Sequence, residues 1–280
     1  MQAEWNARII APKRFCSTLR SSMRRLIFAP LLFVAFPLFA GLTYRFEVKS
    51  TGAGANTLSG RVEADGARMR MDVAHGDPIL FKDNSIVLSS DGGKTMTVLD
   101  PATKTYFVIN LSDFIGGPNN QLKQLGATMK FENAKVDVHD GGSGGTIEGF
   151  PTQKSTLDAS WDIAVDMMGQ SMKMHVKVST DTWRTDKLNG VITPFQAQGL
   201  RTGVEALDRI IEASANMKGF PLREVTTIDT TQGTNVIHVS NTSTVTDVQQ
   251  RDVAASEFAM PAGYTKVQNP IDRMLGAIRH

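Results

Sequence analysis

Residues 157–178 read LDASWDIAVDMMGQSMKMHVKV and contain two runs in which apolar and polar residues alternate. A period of two is typical of strands that bury only one face. The apolar positions are Leu157, Ala159, Trp161, Ile163, Val165 and Met167 in the first run, and Met172, Met174, Val176 and Val178 in the second. The stretch therefore predicts an antiparallel hairpin with one apolar face.

A two-residue turn at 169–170 sets the predicted register of this hairpin, because a Gly-X pair suits a type II′ turn. Apolar residues then face each other on one side of the hairpin, and aspartates face lysines on the other. The predicted pairs are Met167 with Met172, Val165 with Met174, Ile163 with Val176, Trp161 with Val178, Asp166 with Lys173 and Asp162 with Lys177. Each pair adds about 0.2–1 kcal/mol, and a slip by one residue would destroy both patterns.

The aspartates of the first run leave a helical alternative. Asp158, Asp162 and Asp166 recur at every fourth residue, so on a helix they would line one face and resemble metal ligands. The charge pairs of the hairpin favour the strand instead. The histidines, at positions 75, 139, 175, 238 and 280, form no H-x-H or H-E-x-x-H motif, so we predict no metal site.

The dipeptide Asp65-Gly66 predicts a second hairpin between residues 58–64 and 67–73, since Asp-Gly is a type I′ turn signal. This turn would place Val62 opposite Met69. Further strands are predicted at residues 44–50, 85–90, 94–99, 105–109, 129–139, 222–230 and 235–248. We therefore expect a mainly β (α+β) fold dominated by an antiparallel sheet.

Helices are few in this pattern. Thr202-Gly203-Val204-Glu205 predicts a capping box at the start of a helix, and Asn269-Pro270 predicts the start of a terminal helix. A shorter helix is predicted near residues 121–125. Because no linker is visible, residues 41–280 are expected to form a single domain in which helices cover one face of the sheet.

The chain begins with the pattern of an export signal. The basic segment Met23-Arg24-Arg25 precedes an unbroken apolar run, LIFAPLLFVAFPLFA, that ends in a small residue. A membrane anchor is the alternative, but a spanning helix needs about 20 apolar residues, and this run is shorter and contains Pro30 and Pro37. We therefore predict a cleaved signal peptide at residues 1–40, with Met23 as the favoured start, and no membrane span in the mature protein.

Removal of residues 1–40 changes the charge of the protein. This segment holds six of the 30 basic and one of the 28 acidic residues, which leaves 24 basic and 27 acidic residues and a net charge of −3. We therefore expect no basic surface for phosphate contacts and no nucleic-acid partner. The single cysteine, Cys16, is also removed, so neither disulfides nor a cysteine metal site is expected.

One motif formally matches a catalytic signature. Residues 141–145, GGSGG, fit the G-x-S-x-G nucleophile elbow with Ser143 as the nucleophile. The elbow requires a strand before it and a helix after it, whereas Thr146-Ile147-Glu148 predicts another strand. A glycine-rich phosphate loop between a strand and a helix is also not seen. We therefore predict no catalytic residue and no cofactor.

The strand and turn pattern resembles a known family. The segments that carry the resemblance are YRFEVKS, GRVEADGARMRMD, ILFKDNSIVLSSDGGKTMTVLDPATKTYFVI, IEGFPTQKSTLD, GFPLREVTT and ASEFAMPAGYTKV. They are similar to lipoprotein-carrier proteins of the LolA/LolB type and, more closely, to the uncharacterised bacterial domain-of-unknown-function proteins placed beside them. The resemblance covers most of residues 44–267 and rests on strands and turns.

This resemblance implies a LolA-like fold, in which a curved antiparallel half-barrel sheet has a few helices covering its concave face. In carriers of that type, the enclosed hydrophobic cavity holds lipid acyl chains. No motif in this chain corresponds to the polar gating residue of those carriers.

Methionines on the apolar face suit such a cavity, because the side chain is flexible and polarizable. The predicted ligand-binding residues are Phe46, Met69, Met71, Trp161, Met167, Met172 and Met174. Their alternative role is to fill an irregular core. The sequence thus predicts a periplasmic or secreted, non-enzymatic carrier for a lipid or other hydrophobic ligand. An interaction or sensor module that docks another envelope protein is the alternative.

Overall fold

The computed structural model describes residues 41–114, 127–167, 170–188 and 200–277. The chain divides into two units, Met1–Pro37 and Leu38–His280, and all described residues belong to the second. The predicted signal peptide and the predicted helix at 121–125 lie outside the described residues. Within the described part, no helix is long and apolar enough to cross a membrane.

A single sheet of twelve strands contains most of the described residues. The strands are β1 (Gly41–Gly52), β2 (Thr57–Asp65), β3 (Arg68–His75), β4 (Ile86–Ser89), β5 (Thr95–Asp100), β6 (Thr105–Asn110), β7 (Ala127–Ile147), β8 (Phe150–Met167), β9 (Gln170–Thr185), β10 (Phe220–Gln232), β11 (Asn235–Gln250) and β12 (Thr265–Lys266). Every strand predicted from the alternation is present, and β7 and β9 extend well beyond the predicted segments.

The sheet consists of two antiparallel meanders joined at one seam. The strand order is β12-β6-β5-β4-β3-β2-β1-β11-β10-β9-β8-β7, so β1 to β6 form one meander and β7 to β11 form the other. The seam is the antiparallel pairing of β1 with β11. Strand β12 adds to β6 in parallel. The prediction of a mainly β fold with a curved antiparallel sheet and few helices is confirmed.

One face of the sheet, called the inner face below, carries the hydrophobic core. Alternation along each strand sends every second residue to this face. The buried core residues are Leu42, Tyr44, Phe46, Val62, Ala64, Met69, Met71, Val73, Phe81, Val87, Met96, Val98, Ile109, Leu111, Leu188, Leu200, Phe220, Leu222 and Val245. Most of them belong to β1–β6, so the first meander forms the packed end of the domain.

The C-terminal segment covers part of the opposite, outer face. A 3₁₀ turn at Ala255–Phe258 lies against β3. The guanidinium of Arg68 is 5.0 Å from the ring centre of Phe258, and Arg70 donates a hydrogen bond to the carbonyl of Glu257. Leu88 pairs with Arg70 across the strands and is buried, although it points to the outer face.

Two helices accompany the sheet, α1 (Glu205–Asn216) and α2 (Pro270–Ala277), and residues 111–114 form a further helical turn. Helix α1 packs against β7 and β8. Helix α2 begins where the sequence predicts, and the side chain of Asn269 accepts a hydrogen bond from the backbone of Ile271 at 3.0 Å.

The capping box predicted for α1 is wrong in its details. The N-cap residue is Val204 and not Thr202, which lies two residues earlier in the chain. The backbone N–H and the hydroxyl of Thr202 both donate to the carboxylate of Asp208, at 2.6 and 2.8 Å. Gly203 adopts a positive φ of 77° just before the helix. The carboxylate that accepts hydrogen bonds from Thr202 is therefore that of Asp208 and not, as predicted, that of Glu205.

The hairpin of β8 and β9 has the predicted faces but not the predicted register. Gln170 pairs with Met167 and therefore belongs to β9 rather than to a turn. The observed pairs include Val165 with Met172, Ile163 with Met174, Trp161 with Val176, Asp162 with His175 and Ala164 with Lys173. Every partner is displaced by two residues, which leaves each side chain on its predicted face.

The hairpin of β2 and β3 is displaced in the same way. Asp65 pairs with Arg68, so the turn is Gly66-Ala67, and Val62 lies opposite Met71. Gly66 adopts φ 57°, a left-handed conformation that glycine reaches without steric cost. An error of one residue in the position of a turn displaces the strand pairing by two, which accounts for this result.

We expect Tyr44→Phe to stabilise the protein. Tyr44 is 2% exposed, its ring meets that of Phe220 edge to face at 5.3 Å, and its hydroxyl has no hydrogen-bond partner among the described residues. Burial accordingly raises the pKa of Tyr44. Removal of an unsatisfied buried hydroxyl should raise the free energy of unfolding by about 1–2 kcal/mol in urea denaturation.

The matched control is Tyr106→Phe, because Tyr106 is only half-buried on β6. A loss of stability in Tyr44→Phe, relative to the wild type and to this control, would contradict the prediction.

Candidate functional site

Beyond the core, the inner face continues onto the long strands of the second meander. We call this region the distal inner face. Its apolar residues include Phe131, Val136, Val138, Leu157, Ala159, Trp161, Ile163, Val165, Met172, Met174, Val176, Val178, Ile228, Ile237 and Val239. Several remain open to water: Ile237 is 53%, Val138 42% and Met172 41% exposed. A contiguous apolar surface of this kind is a candidate binding surface.

Helix α1 covers one part of the distal inner face. Ala206 and Ile210 of the helix line a cleft together with Ala134 and Val136 of β7. Just beyond the helix, the sulfur of Met217 accepts a hydrogen bond from Ser155 of β8 at 3.4 Å. The helix and its C-terminal end therefore form one wall of the candidate site.

The structure divides the seven predicted ligand-binding residues into two groups. Phe46, Met69 and Met71 belong to the core and are 7%, 0% and 0% exposed. Trp161 and Met174 are half-buried on the distal inner face, and Met172 is exposed there. For Met167 the structure describes only the backbone, which pairs with Gln170.

Trp161 contributes a hydrogen-bond donor to this face. Its indole Nε1 is buried and has no partner among the described residues, although the side chain as a whole is half-buried. A buried indole N–H normally finds an acceptor. A polar atom of a bound molecule would supply one.

A polar band crosses the inner face between the core and the distal inner face. The hydroxyl of Ser50 donates to Asn241 at 2.6 Å, and the hydroxyl oxygens of Thr180 and Thr226 are 3.1 Å apart. These groups satisfy one another across β1, β11, β10 and β9, so they can remain away from water at little cost.

Two charged residues of this band were not singled out in the sequence. Arg184 of β9 is 5% exposed, and its Nη1 donates to the carbonyl of Gly219 at 3.3 Å. Glu224 of β10 accepts a hydrogen bond from Thr182 at 3.5 Å. Burial raises the pKa of Glu224, and the positive charge of Arg184 opposes this rise.

One feature of the sequence could have indicated that Arg184 points inward: Trp183 directly precedes it near the end of a strand. The indole of Trp183 lies on the outer face between Lys154 Nζ and Arg223 Cζ, at 5.1 and 5.0 Å from the ring centre. Cation–π contacts of this kind favour an aromatic side chain at an outer position. With Trp183 turned outward, alternation directs Arg184 to the inner face.

The G-x-S-x-G segment is not a nucleophile elbow. Ser143 pairs with Gln153 in the ladder of β7 and β8, and β7 continues to Ile147 without a helix. The segment instead packs under Trp183. A Cβ atom on Gly144 would lie 2.6 Å from Cδ1 of that ring and 2.7 Å from the hydroxyl of Thr152.

The outer face of the second meander carries histidine–aspartate pairs. His175 Nδ1 is 2.6 Å from Asp162, and His238 Nδ1 is 2.6 Å from Asp229. Hydrogen bonds from Asn133 and His175 lower the pKa of Asp162. Within the described residues, no group of three or more potential ligands is placed to hold a metal ion.

We expect Gly144→Ala to destabilise the protein, because the added methyl would overlap Trp183 and Thr152. Overpacking of this kind costs about 1–3 kcal/mol, measurable as a shift in the urea midpoint. Ser143→Ala at the neighbouring exposed position is the control and should change stability by less than about 0.5 kcal/mol. Equal stabilities for the two variants would show that the packing of Trp183 does not require a glycine at position 144.

We expect Glu224→Gln to stabilise the protein increasingly as the pH rises. Burial raises the folded-state pKa of Glu224 above its ordinary value of 4.5. The ionisation of Glu224 therefore begins to destabilise the wild type as the pH rises above 4.5, and this loss is complete once the pH exceeds the folded-state pKa. Urea unfolding from about pH 4 to about pH 8 should show a growing difference in favour of the variant.

Glu132→Gln, at an exposed position of β7, is the control for the loss of a carboxyl group. A difference between Glu224→Gln and the wild type that stays constant or shrinks with pH would contradict the assigned burial of Glu224.

Comparison with known proteins gives a family and a set of distant structures. The family model described as Domain of unknown function (DUF4412) matches residues 49–264. No curated protein matches the sequence significantly. The family match confirms the resemblance to a domain-of-unknown-function family that the sequence indicated.

Similar solved structures include a LolA superfamily protein from Nitrosomonas europaea, at 8% identity and a TM-score of 0.31, with 80% of this chain and 92% of that chain covered. A DUF1329 family protein from Desulfovibrio piger matches at 8% identity and a TM-score of 0.32, covering 80% and 91%. PNGF-II matches at 11% identity and a TM-score of 0.35 over 84% of this chain, which spans about a third (32%) of PNGF-II.

Proposed function

Because this chain belongs to the DUF4412 family of domains of unknown function, we propose a function from its own geometry. The protein binds a lipid or another hydrophobic molecule on the distal inner face and carries it in the cell envelope. It does so without catalysing a reaction.

The observation that carries this proposal is the contrast between the two parts of the inner face. In the core, Met69 and Met71 are fully buried, whereas on the same face Met172 and Ile237 are 41% and 53% exposed. Alternation keeps the apolar side chains on this face through five neighbouring strands. Leu157, Ala159 and Val176 are buried there, whereas the residues nearer the strand ends stay open to water. A bound apolar molecule would remove them from water.

The mechanism is sequestration. Each Å² of apolar surface removed from water contributes about 25 cal/mol, shared between the ligand and the protein. Met167, Met172 and Met174 are the proposed flexible contacts, and Trp161 adds a rigid aromatic surface. Phe46, Met69 and Met71 form the packed floor behind the polar band.

The site of action is proposed to be the periplasm or the extracellular space. Support comes from the apolar run at residues 26–40 and the basic residues before it, which have the pattern of a cleaved export signal.

The test is native mass spectrometry of the protein purified from an exporting host, followed by organic extraction, and titration with the neutral apolar probe diphenylhexatriene. Ile237→Lys, on the inner face, should weaken probe binding about tenfold. Val236→Lys is the matched control, because Val236 is adjacent, 62% exposed and on the outer face. This control should bind like the wild type.

A co-purifying lipid near one per protein would identify the ligand class. If neither lipid nor probe binds, the proposal fails, and the open apolar face becomes evidence for the alternative, an interaction module that docks another envelope protein. If both lysine variants weaken binding equally, the ligand does not use the inner face.

A further inference from the structure

The buried guanidinium of Arg184 has an unused side. Arginine carries five N–H donors and remains charged, so burial without partners is costly. Among the described residues, only Nη1 of Arg184 has an acceptor, the carbonyl of Gly219. Nε and Nη2 are buried and have no hydrogen-bond partner among the described residues.

The two unpartnered nitrogens define a specific geometry. Nε and Nη2 lie on the same edge of a guanidinium and donate two parallel hydrogen bonds to one carboxylate. Arg70 uses this edge in the same protein: its Nε is 3.1 Å and its Nη2 2.8 Å from Oδ1 of Asp72. The free edge of Arg184 is therefore shaped for a carboxylate that the described residues do not provide.

The charge of Glu224 acts on Arg184, but Glu224 does not fill this edge. Within the described residues, no carboxylate oxygen lies within the 4.0 Å of an ion pair with Arg184, and Glu224 instead accepts a bond from Thr182. Its charge nevertheless offsets part of the positive charge of Arg184. A ligand group with a single negative charge thus suits the site better than a dianion.

We propose that Arg184 binds the carboxylate head group of a long-chain fatty acid whose tail crosses the polar band toward the distal inner face. This inference rests on the proposed function and adds the chemical class of the ligand. The carboxylate accepts from Nε and Nη2, which supplies the two missing partners.

The position of Arg184 on β9 fits this arrangement. Along the inner side of the strand, Thr182 and Thr180 follow first, and then Val178, Val176 and Met174. Val178 is six residues from Arg184, about 20 Å at a rise of 3.3 Å per residue. A tail that starts at the head-group site must therefore first pass Thr182 and Thr180 of the polar band, and it reaches the open apolar surface with its far end.

The test is calorimetric titration of the delipidated protein with oleate, oleyl alcohol and acetate. Oleate and oleyl alcohol share a tail and differ in the head group, and acetate offers the carboxylate without a tail. The wild type should bind oleate about 10–100-fold more tightly than oleyl alcohol, the range expected for a charged hydrogen-bonded pair.

Two variants of Arg184 and one control separate the head-group contact from general effects. Arg184→Lys keeps the charge but loses the paired donors, and Arg184→Gln loses both; each should bring the two affinities to within about threefold. Arg45→Gln, at an exposed outer position, should keep the full preference. Glu224→Gln, which removes the nearby negative charge, should raise the affinity for oleate and leave the affinity for oleyl alcohol unchanged.

Equal affinities of the wild type for oleate and oleyl alcohol would overturn the inference while the proposed hydrophobic carrier stands. Binding of acetate as tight as oleate would also overturn it, because the site would then serve a small anion. If none of the three binds, the fatty-acid inference fails, and titration with diphenylhexatriene then decides whether the proposed carrier function fails with it. If the Arg184 variants do not fold, the titrations of the wild type and of Glu224→Gln still test whether the carboxylate head group contributes to binding.

Discussion

The pairing of β1 with β11 holds the two meanders in one sheet. Among the described strands, no other pairing connects them, and its contacts are remote in the chain: Ser50 and Asn241 bond across 191 residues. The entropy of closing so long a loop grows slowly with its length, so the pairing is thermodynamically accessible. It is nevertheless expected to form late, because non-local strand pairs are slow to assemble. Until then each meander presents an open edge.

Polar groups cross the apolar inner face at this seam and on the strands next to it. The bonds of Ser50 with Asn241 and of Thr180 with Thr226 lie where the packed core ends and the open surface begins. On one side, Met71 is fully buried and stabilises the fold; on the other, Met172 is exposed and adds little to it. The buried and the open apolar surfaces are therefore separated in space, so substitutions on the open surface are expected to cost little stability.

The alternation in the sequence was sufficient to locate the strands and to assign most faces, because a period of two is set by backbone geometry alone. It could not fix the register, since a displacement by two residues leaves every side chain on the same face. In β2 and β3 the register is set by the turn, in which Gly66 is the first of two residues. The pair of Arg184 and Glu224 was missed because a charge at a strand end usually faces water. Its orientation depends on Trp183, whose outward position is stabilised by Lys154 and Arg223.

Strand β7 lies at the edge of the described sheet and is 21 residues long. A straight edge of that length would be a template for pairing with a second molecule. Its ladder with β8 is interrupted at residues 132–135, 140–142 and 143–145, and each irregularity twists the strand locally. The glycine-rich run that mimics a hydrolase motif thus disrupts the edge as a template for fibril growth.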